Sequence, residues 1–119
     1  MNQKKSASLK RIILSSKYSY SGLKFAWHEG AFRLECYLFI ILMLLCLVFK
    51  LALWKCIIIF TVWMILFITE VLNSAIEACI DRISFEKHQL SKAAKDLGSF
   101  AVFLAASLAL IISFYMFLI

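Results

Sequence analysis

The segment Glu70-Val71-Leu72-Asn73-Ser74-Ala75-Ile76-Glu77-Ala78-Cys79-Ile80-Asp81 sets three carboxylates and a carboxamide at helical spacing. At about 100° per residue, Glu70, Asn73, Ser74, Glu77 and Asp81 fall within an arc of roughly 100°. The opposite face is apolar or small, and the preceding run Cys56–Thr69 carries no charge. Ionisable groups at membrane depth cost about 2.5–3.5 kcal/mol each on insertion scales, so they usually face a protein interior and serve function. Carboxylates close to an aqueous phase suit a divalent cation. Mg2+ takes oxygen ligands in an octahedral array, typically one or two carboxylates with phosphate oxygens and waters. Glu77 can share such an ion with Glu29 where the first apolar helix packs alongside. Glu70 lies nearly two turns deeper in drier surroundings, and burial, charge and hydrogen bonding tune a carboxyl group's basicity. It is therefore a candidate general base. Asn73 is placed to hold Glu70 or a substrate hydroxyl.

The elements that must position these residues follow from composition and charge punctuation. Of 119 residues, 64% are hydrophobic and none is proline, against an apolar share of about 45–50% in soluble domains. The chain reads as a single all-α integral membrane domain over residues 1–119. The first span is expected at about 30–49, its helix starting near Glu29, with Arg33 and Glu35 at its interfacial end. The second is expected at about 55–82 and the third at about 97–119. Leu97–Ile119 is free of charge and at 1.5 Å per residue covers roughly 34 Å, enough to cross a bilayer with slight tilt. Ahead of the spans, Leu9, Ile12, Ile13, Tyr20, Leu23 and Trp27 are interleaved with Lys10, Arg11, Lys17 and Lys24. That pattern predicts a basic amphipathic helix on the membrane surface over about 8–27, with Ser21-Gly22 as a candidate bend. It lacks the apolar core and cleavage site of a signal peptide.

Seven Lys and Arg residues precede the charge-free core Cys36–Phe49 of the first span, two (Lys50, Lys55) lie in the first connection, four (Arg82, Lys87, Lys92, Lys95) in the second, and none follows. The positive-inside rule places the N-terminus and the Arg82–Asp96 connection in the cytoplasm. All seven acidic residues then lie in the cytoplasmic half or near that interface, which predicts an active centre there. The net charge of +6 follows from topology and attraction to anionic lipid, and no nucleic-acid recognition motif is present.

Other readings are blander. Cys36, Cys46, Cys56 and Cys79 form no CxxC pair or zinc spacing and read as small packing residues. Asp81 beside Arg82 reads equally as a helix-end ion pair, Glu35 with Arg33 as an interfacial pair, and Lys92 and Lys95 as topology determinants. Trp27 and Trp54 read as belt aromatics, and His28 and His88 as solvated histidines. No glycine-rich phosphate loop or protein-kinase signature occurs, so any nucleotide site is built differently. A small proton-coupled multidrug-type transporter needs one membrane carboxylate with an aromatic surround. It has no use for Glu77, Lys95-Asp96 and a basic surface helix together.

The run Glu70-x-x-Asn73-Ser74-Ala75-Ile76-Glu77-x-x-x-Asp81-Arg82-Ile83 resembles the signature of the small membrane-integral prokaryotic diacylglycerol kinases. The resemblance extends to Arg11-Ile12-Ile13, Tyr18-Ser19, Gly22-Leu23, Ala26-Trp27, Glu29, Ala31-Phe32-Arg33 and Glu35. It continues through Glu86, His88, Leu90-Ser91, Ala94-Lys95-Asp96 and Gly98-Ser99. It implies a homotrimeric helical bundle in a bacterial inner membrane, each chain giving a surface helix and three transmembrane helices, with active sites shared between subunits. The implied reaction moves the γ-phosphoryl group of Mg-ATP to the hydroxyl of diacylglycerol, making phosphatidic acid. By the same resemblance Glu70 is the proton acceptor, assisted by Asn73, and Glu29 and Glu77 hold magnesium and ATP. Arg11, Tyr18, Glu86, His88, Lys95 and Asp96 match nucleotide-holding positions. Arg11, Ser15, Tyr20, Lys24, Trp27, Ala31, Arg33, Glu35, Glu70 and Ser99 match lipid-substrate contacts. The chain departs from the pattern in having only His28 between Trp27 and Glu29, where family members have two residues, and in Tyr20, where tryptophan is common. A sister group phosphorylates undecaprenol; Glu35 and Gly98-Ser99 look more like the diacylglycerol type.

Overall fold

No proline and only three glycines leave the chain few residues that interrupt a helix. The computed structural model describes the backbone of residues 2–119 and the side chains from Ser6 onward. It contains four helices, α1 (Asn2–His28), α2 (Gly30–Val48), α3 (Leu53–Ile83) and α4 (Gln89–Leu118), and no strand among the described residues. Helices α2, α3 and α4 are each long and apolar enough to cross a membrane.

Each interruption has a local cause. Between α1 and α2 the chain extends for one residue, Glu29 (φ −74°, ψ 124°). Helix α1 passes unbroken through Ser21-Gly22, so the expected bend falls instead at Glu29, where one residue separates the two helices. After α2, Leu51 N donates to Cys46 O (3.0 Å) and Lys50 N to Leu47 O (3.1 Å), the paired bonds of a Schellman turn. Lys50 occupies its left-handed position (φ 50°), where glycine is usual. Helix α3 gives way to extended backbone at Ser84, and His88 starts α4 by accepting a hydrogen bond at Nδ1 from Leu90 N (3.1 Å).

Helix α4 begins eight residues before the expected Leu97, and α1 begins at Asn2 ahead of the expected residue 8. Charge marks where a membrane ends, and a helix continues wherever its residues and caps allow. Ala93, Ala94 and the lysines of Gln89–Asp96 are good helix formers. Lys95 and Asp96 thus sit on a helical extension beyond the charge-free membrane segment.

The α3–α4 pair forms the principal interface. The residues that α4 buries are mostly small: Gly98, Ala105, Ala109 and Ser113, with Met116. Such a stripe lets two helix backbones approach closely where apolar lipid offers little drive for association. Ile59, Val62, Trp63 and Leu66 of α3 fill the facing positions, with Cys46 of α2. Helix α2 docks on α3 through Phe39, whose ring lies 5.8 Å from Phe60, 5.8 Å from Trp63 and 5.5 Å from Phe67. The buried Trp63 Nε1 donates to Ser113 Oγ at 3.1 Å, satisfying a polar group that would be costly unpaired.

Candidate active site

The stripe on α3 runs from a dry end to a wet one. Glu70 is 7% exposed, Asn73 and Ser74 are half-buried, Glu77 is exposed and Asp81 half-buried. Asn73 Nδ2 donates to Glu77 Oε1 at 3.3 Å. Asn73 Oδ1 is buried without a hydrogen-bond partner and rests against the backbone of Gly98 on α4. The Glu77 bond sets which way the carboxamide points, since the reverse orientation would turn an oxygen toward a carboxylate.

One turn beyond Glu77, Lys95 Nζ donates to Asp81 Oδ1 at 2.7 Å, with side chains 41% and 42% exposed. The charge partner of Asp81 is therefore Lys95 on α4. Adjacent residues on a helix do not face one another, which removes the Asp81–Arg82 pair from consideration. The hydrogen bond to Asp81 raises the Lys95 pKa above its ordinary value, and the charges of Asp81 and Glu77 reinforce it. Lys92 pairs with Asp96 one turn apart on α4.

A cleft of about 580 Å3 opens beside this ion pair, its lining including Asp81, Ser84, Glu86, His88, Lys95 and Asp96. Ser84 Oγ accepts from Glu86 N at 3.0 Å, and with the His88 cap this shapes the short α3–α4 connection. The cleft has both carboxylates and an ammonium at its wall, a composition suited to a polyanion carried with a cation.

Glu29, at the start of α2, makes no capping bond with its side chain. Six residues later Glu35 is half-buried, with Oε2 enclosed and unpartnered. Phe32 near the start of α2 packs on Phe67 of α3 with ring centroids 5.7 Å apart, so Glu29 and Glu35 stand at the same end of the helices as Glu70 and Glu77. Among the described residues, no three His, Cys, Asp or Glu side chains gather on one cation. An ion that takes one or two carboxylates and completes its shell with phosphate and water oxygens needs no such cluster.

Other predicted residues line separate clefts or stand exposed. Arg11 and Ser15 line a separate shallow cleft of about 340 Å3 on α1. Tyr18 is exposed, and the Tyr20 ring carries Lys24 Nζ 4.7 Å from its centroid. Lys24 and Trp27 border a further small cleft, with Trp27 edge-on to Tyr37 at 5.9 Å. Ala31, Arg33 and Ser99 are exposed. The apolar residues Leu9, Ile12, Ile13, Tyr20, Leu23 and Trp27 share an arc of roughly 100° on α1 and are exposed within the chain. Sequence reasoning placed Asp81 on the stripe without its Lys95 partner and gave Gly98 no part in the centre. The signal for Gly98 was present in the small residues of α4 at positions 98, 105, 109 and 113; the Asp81–Lys95 bond depends on tertiary packing.

The molecule is thus a small helical membrane protein with a carboxylate-rich centre at one end of its α3–α4 pair. Residues 17–117 match the family model for prokaryotic diacylglycerol kinase. The chain is 46% identical over 104 residues to the diacylglycerol kinase of Haemophilus influenzae, covering 85% of this chain and 86% of that one. It is 44% identical over 103 residues to that of Escherichia coli (85% and 84% covered), and 41% over 98 residues to that of Pseudomonas aeruginosa (82% and 80%). The chain belongs to the prokaryotic diacylglycerol kinase family.

Proposed function

We propose that this chain transfers the γ-phosphoryl group of Mg-ATP to the hydroxyl of diacylglycerol, giving phosphatidic acid and ADP at the inner face of a bacterial inner membrane. The observation that carries the reading of the site is the gradient along α3, from buried Glu70 to a cleft bordered by Asp81 and Lys95. A lipid hydroxyl arrives from the apolar side and a nucleotide from the aqueous side.

Glu70 accepts the hydroxyl proton as the oxygen attacks the γ-phosphorus, and the bond to the β-phosphate oxygen breaks. Asn73, one turn further on, orients the hydroxyl. Glu29 and Glu77 hold Mg2+, which when bound neutralises charge on the transferring phosphates. Lys95 supplies a cationic donor from α4, Asp96 and Glu86 border the nucleotide, and His88 shapes the connection beneath it. Phosphoryl transfer asks mainly for positioning and charge neutralisation, so these groups suffice without a P-loop.

Arg11 and Tyr18 lie on α1, and neither lines the cleft beside Asp81 and Lys95 in its own chain. Their part in nucleotide binding fits a homotrimer in which α1 of one subunit serves the centre of a neighbour. The exposed apolar stripe of α1 suits a helix lying on the cytoplasmic membrane surface, where Ser15, Tyr20, Lys24, Trp27, Ala31, Arg33, Glu35 and Ser99 contact lipid.

The test is phosphoryl transfer in mixed micelles with Mg-ATP, offering dioleoylglycerol and undecaprenol side by side. The reading expects phosphatidic acid as the main product. Phosphorylated undecaprenol alone would reassign the acceptor, and no phosphorylated lipid from a folded preparation would overturn the kinase reading.

A further inference from the structure

Gly98 is buried on α4, opposite the centre of the α3 stripe. A Cβ built on Gly98 would overlap Asn73 Oδ1, approach Asn73 Cγ to 3.2 Å and leave Asn73 Cβ at an ordinary 3.8 Å. The obstruction is therefore the carboxamide itself, and the backbone of α3 is not involved. That carboxamide has one hydrogen bond, from Nδ2 to Glu77 Oε1 at 3.3 Å, and its oxygen has no donor. A single long bond does not hold a side chain by itself; the slot left by the missing side chain at residue 98 confines it from the other side.

We infer that Gly98 is a positioning residue for phosphoryl transfer: its bare backbone on α4 gives the Asn73 carboxamide the space in which it lies against Glu77, beside the proposed base Glu70. The inference rests on the role proposed above for Asn73. Ala105, Ala109 and Ser113 on the same stripe of α4 serve packing, because a methyl or hydroxymethyl group is already accommodated there. At residue 98 the facing atom is the mobile end of a functional side chain. An added methyl group displaces that end at small cost to the helices, since alanine is the better helix former. The consequence is a lesion in rate that leaves the fold in place.

The experiment is a double-variant cycle on purified protein in mixed micelles, with kcat, the KM for Mg-ATP and the thermal midpoint measured for Gly98→Ala, Asn73→Ala and the combination. Gly98→Ala is expected to lower kcat by about tenfold or more, with KM within about threefold and the thermal midpoint near that of the parent. Asn73→Ala is expected to lower kcat as well, and adding Gly98→Ala to it is expected to change kcat by less than about twofold, because nothing is left to displace. Multiplicative losses in the double variant would overturn the positioning role and leave the role of Asn73 intact. A near-parent kcat for Gly98→Ala would do the same. A near-parent kcat for Asn73→Ala would remove the role of Asn73, and with it this inference. If Gly98→Ala fails to fold, the double variant decides: recovery of folding supports the clash with Asn73, and continued failure makes Gly98 a packing residue only.

Discussion

The two halves of the α3–α4 pair are built from the same helices and behave differently. Toward Lys50 the interface is closed: Ile59, Val62, Trp63 and Leu66 meet Ala105, Ala109 and Met116, and its buried polar pair is satisfied by the Trp63–Ser113 bond. Toward Ser84 the same helices hold a buried carboxylate at Glu70, an orphaned oxygen at Asn73 and an inter-helix ion pair beside an open cleft. Polar groups left incompletely satisfied in a folded chain are costly, and their concentration at one end supports the ligand site proposed there. The closed half holds the helices in register, and the open half uses that register to align groups from two helices.

Substitutions in the two halves should therefore separate rate from stability. The largest effect is expected for Glu70→Gln, which removes the proposed proton acceptor without changing shape. Steady-state assays should show kcat lower by about 10²- to 10⁴-fold, the scale of general-base catalysis. Asp81→Asn comes next. Lys95 loses the partner that raises its pKa, so the ammonium deprotonates at lower pH. The alkaline limb of a kcat/KM profile should move toward neutrality, with the KM for Mg-ATP rising about threefold or more. An unmoved limb would separate Lys95 from nucleotide binding.

Ser113→Ala acts on the closed half. It strands the buried Trp63 Nε1–H, and denaturation in micelles should show a loss of about 1 kcal/mol with kcat unchanged. The smallest effect is expected at Lys50→Gly, which relieves the left-handed backbone of the Schellman turn. Stability should rise by about 0.5–1 kcal/mol, again without effect on rate.

The legibility of the sequence divides along the same line. The spans and the membrane class were readable because charge-free runs are a one-dimensional signal. Membrane residues Glu70, Asn73 and Glu77 stood out because helical spacing alone puts them on one face. The start of α4 at Gln89 was not readable from charge, since a helix leaving the bilayer keeps its hydrogen bonds in water. The Asp81–Lys95 pair and the contact of Asn73 with Gly98 link residues 14 and 25 positions apart, and only the packing of α3 on α4 reveals them. Glu29 illustrates the middle case: charge punctuation put a helix start near it, and its extended backbone at the junction of two helices required the fold. The proposed sharing of the site, with α1 serving a neighbouring subunit, concerns an assembly that a single chain does not specify.

The division between the two halves is the central claim, and one paired measurement bears on it directly. Glu70→Gln and Ser113→Ala are prepared alongside the parent, and each preparation is divided between diacylglycerol phosphorylation and thermal denaturation. The prediction is a crossover: Glu70→Gln loses turnover and keeps its melting temperature, while Ser113→Ala keeps turnover and melts earlier. Near-parent turnover in Glu70→Gln, or turnover in Ser113→Ala falling as far as in Glu70→Gln, would contradict it.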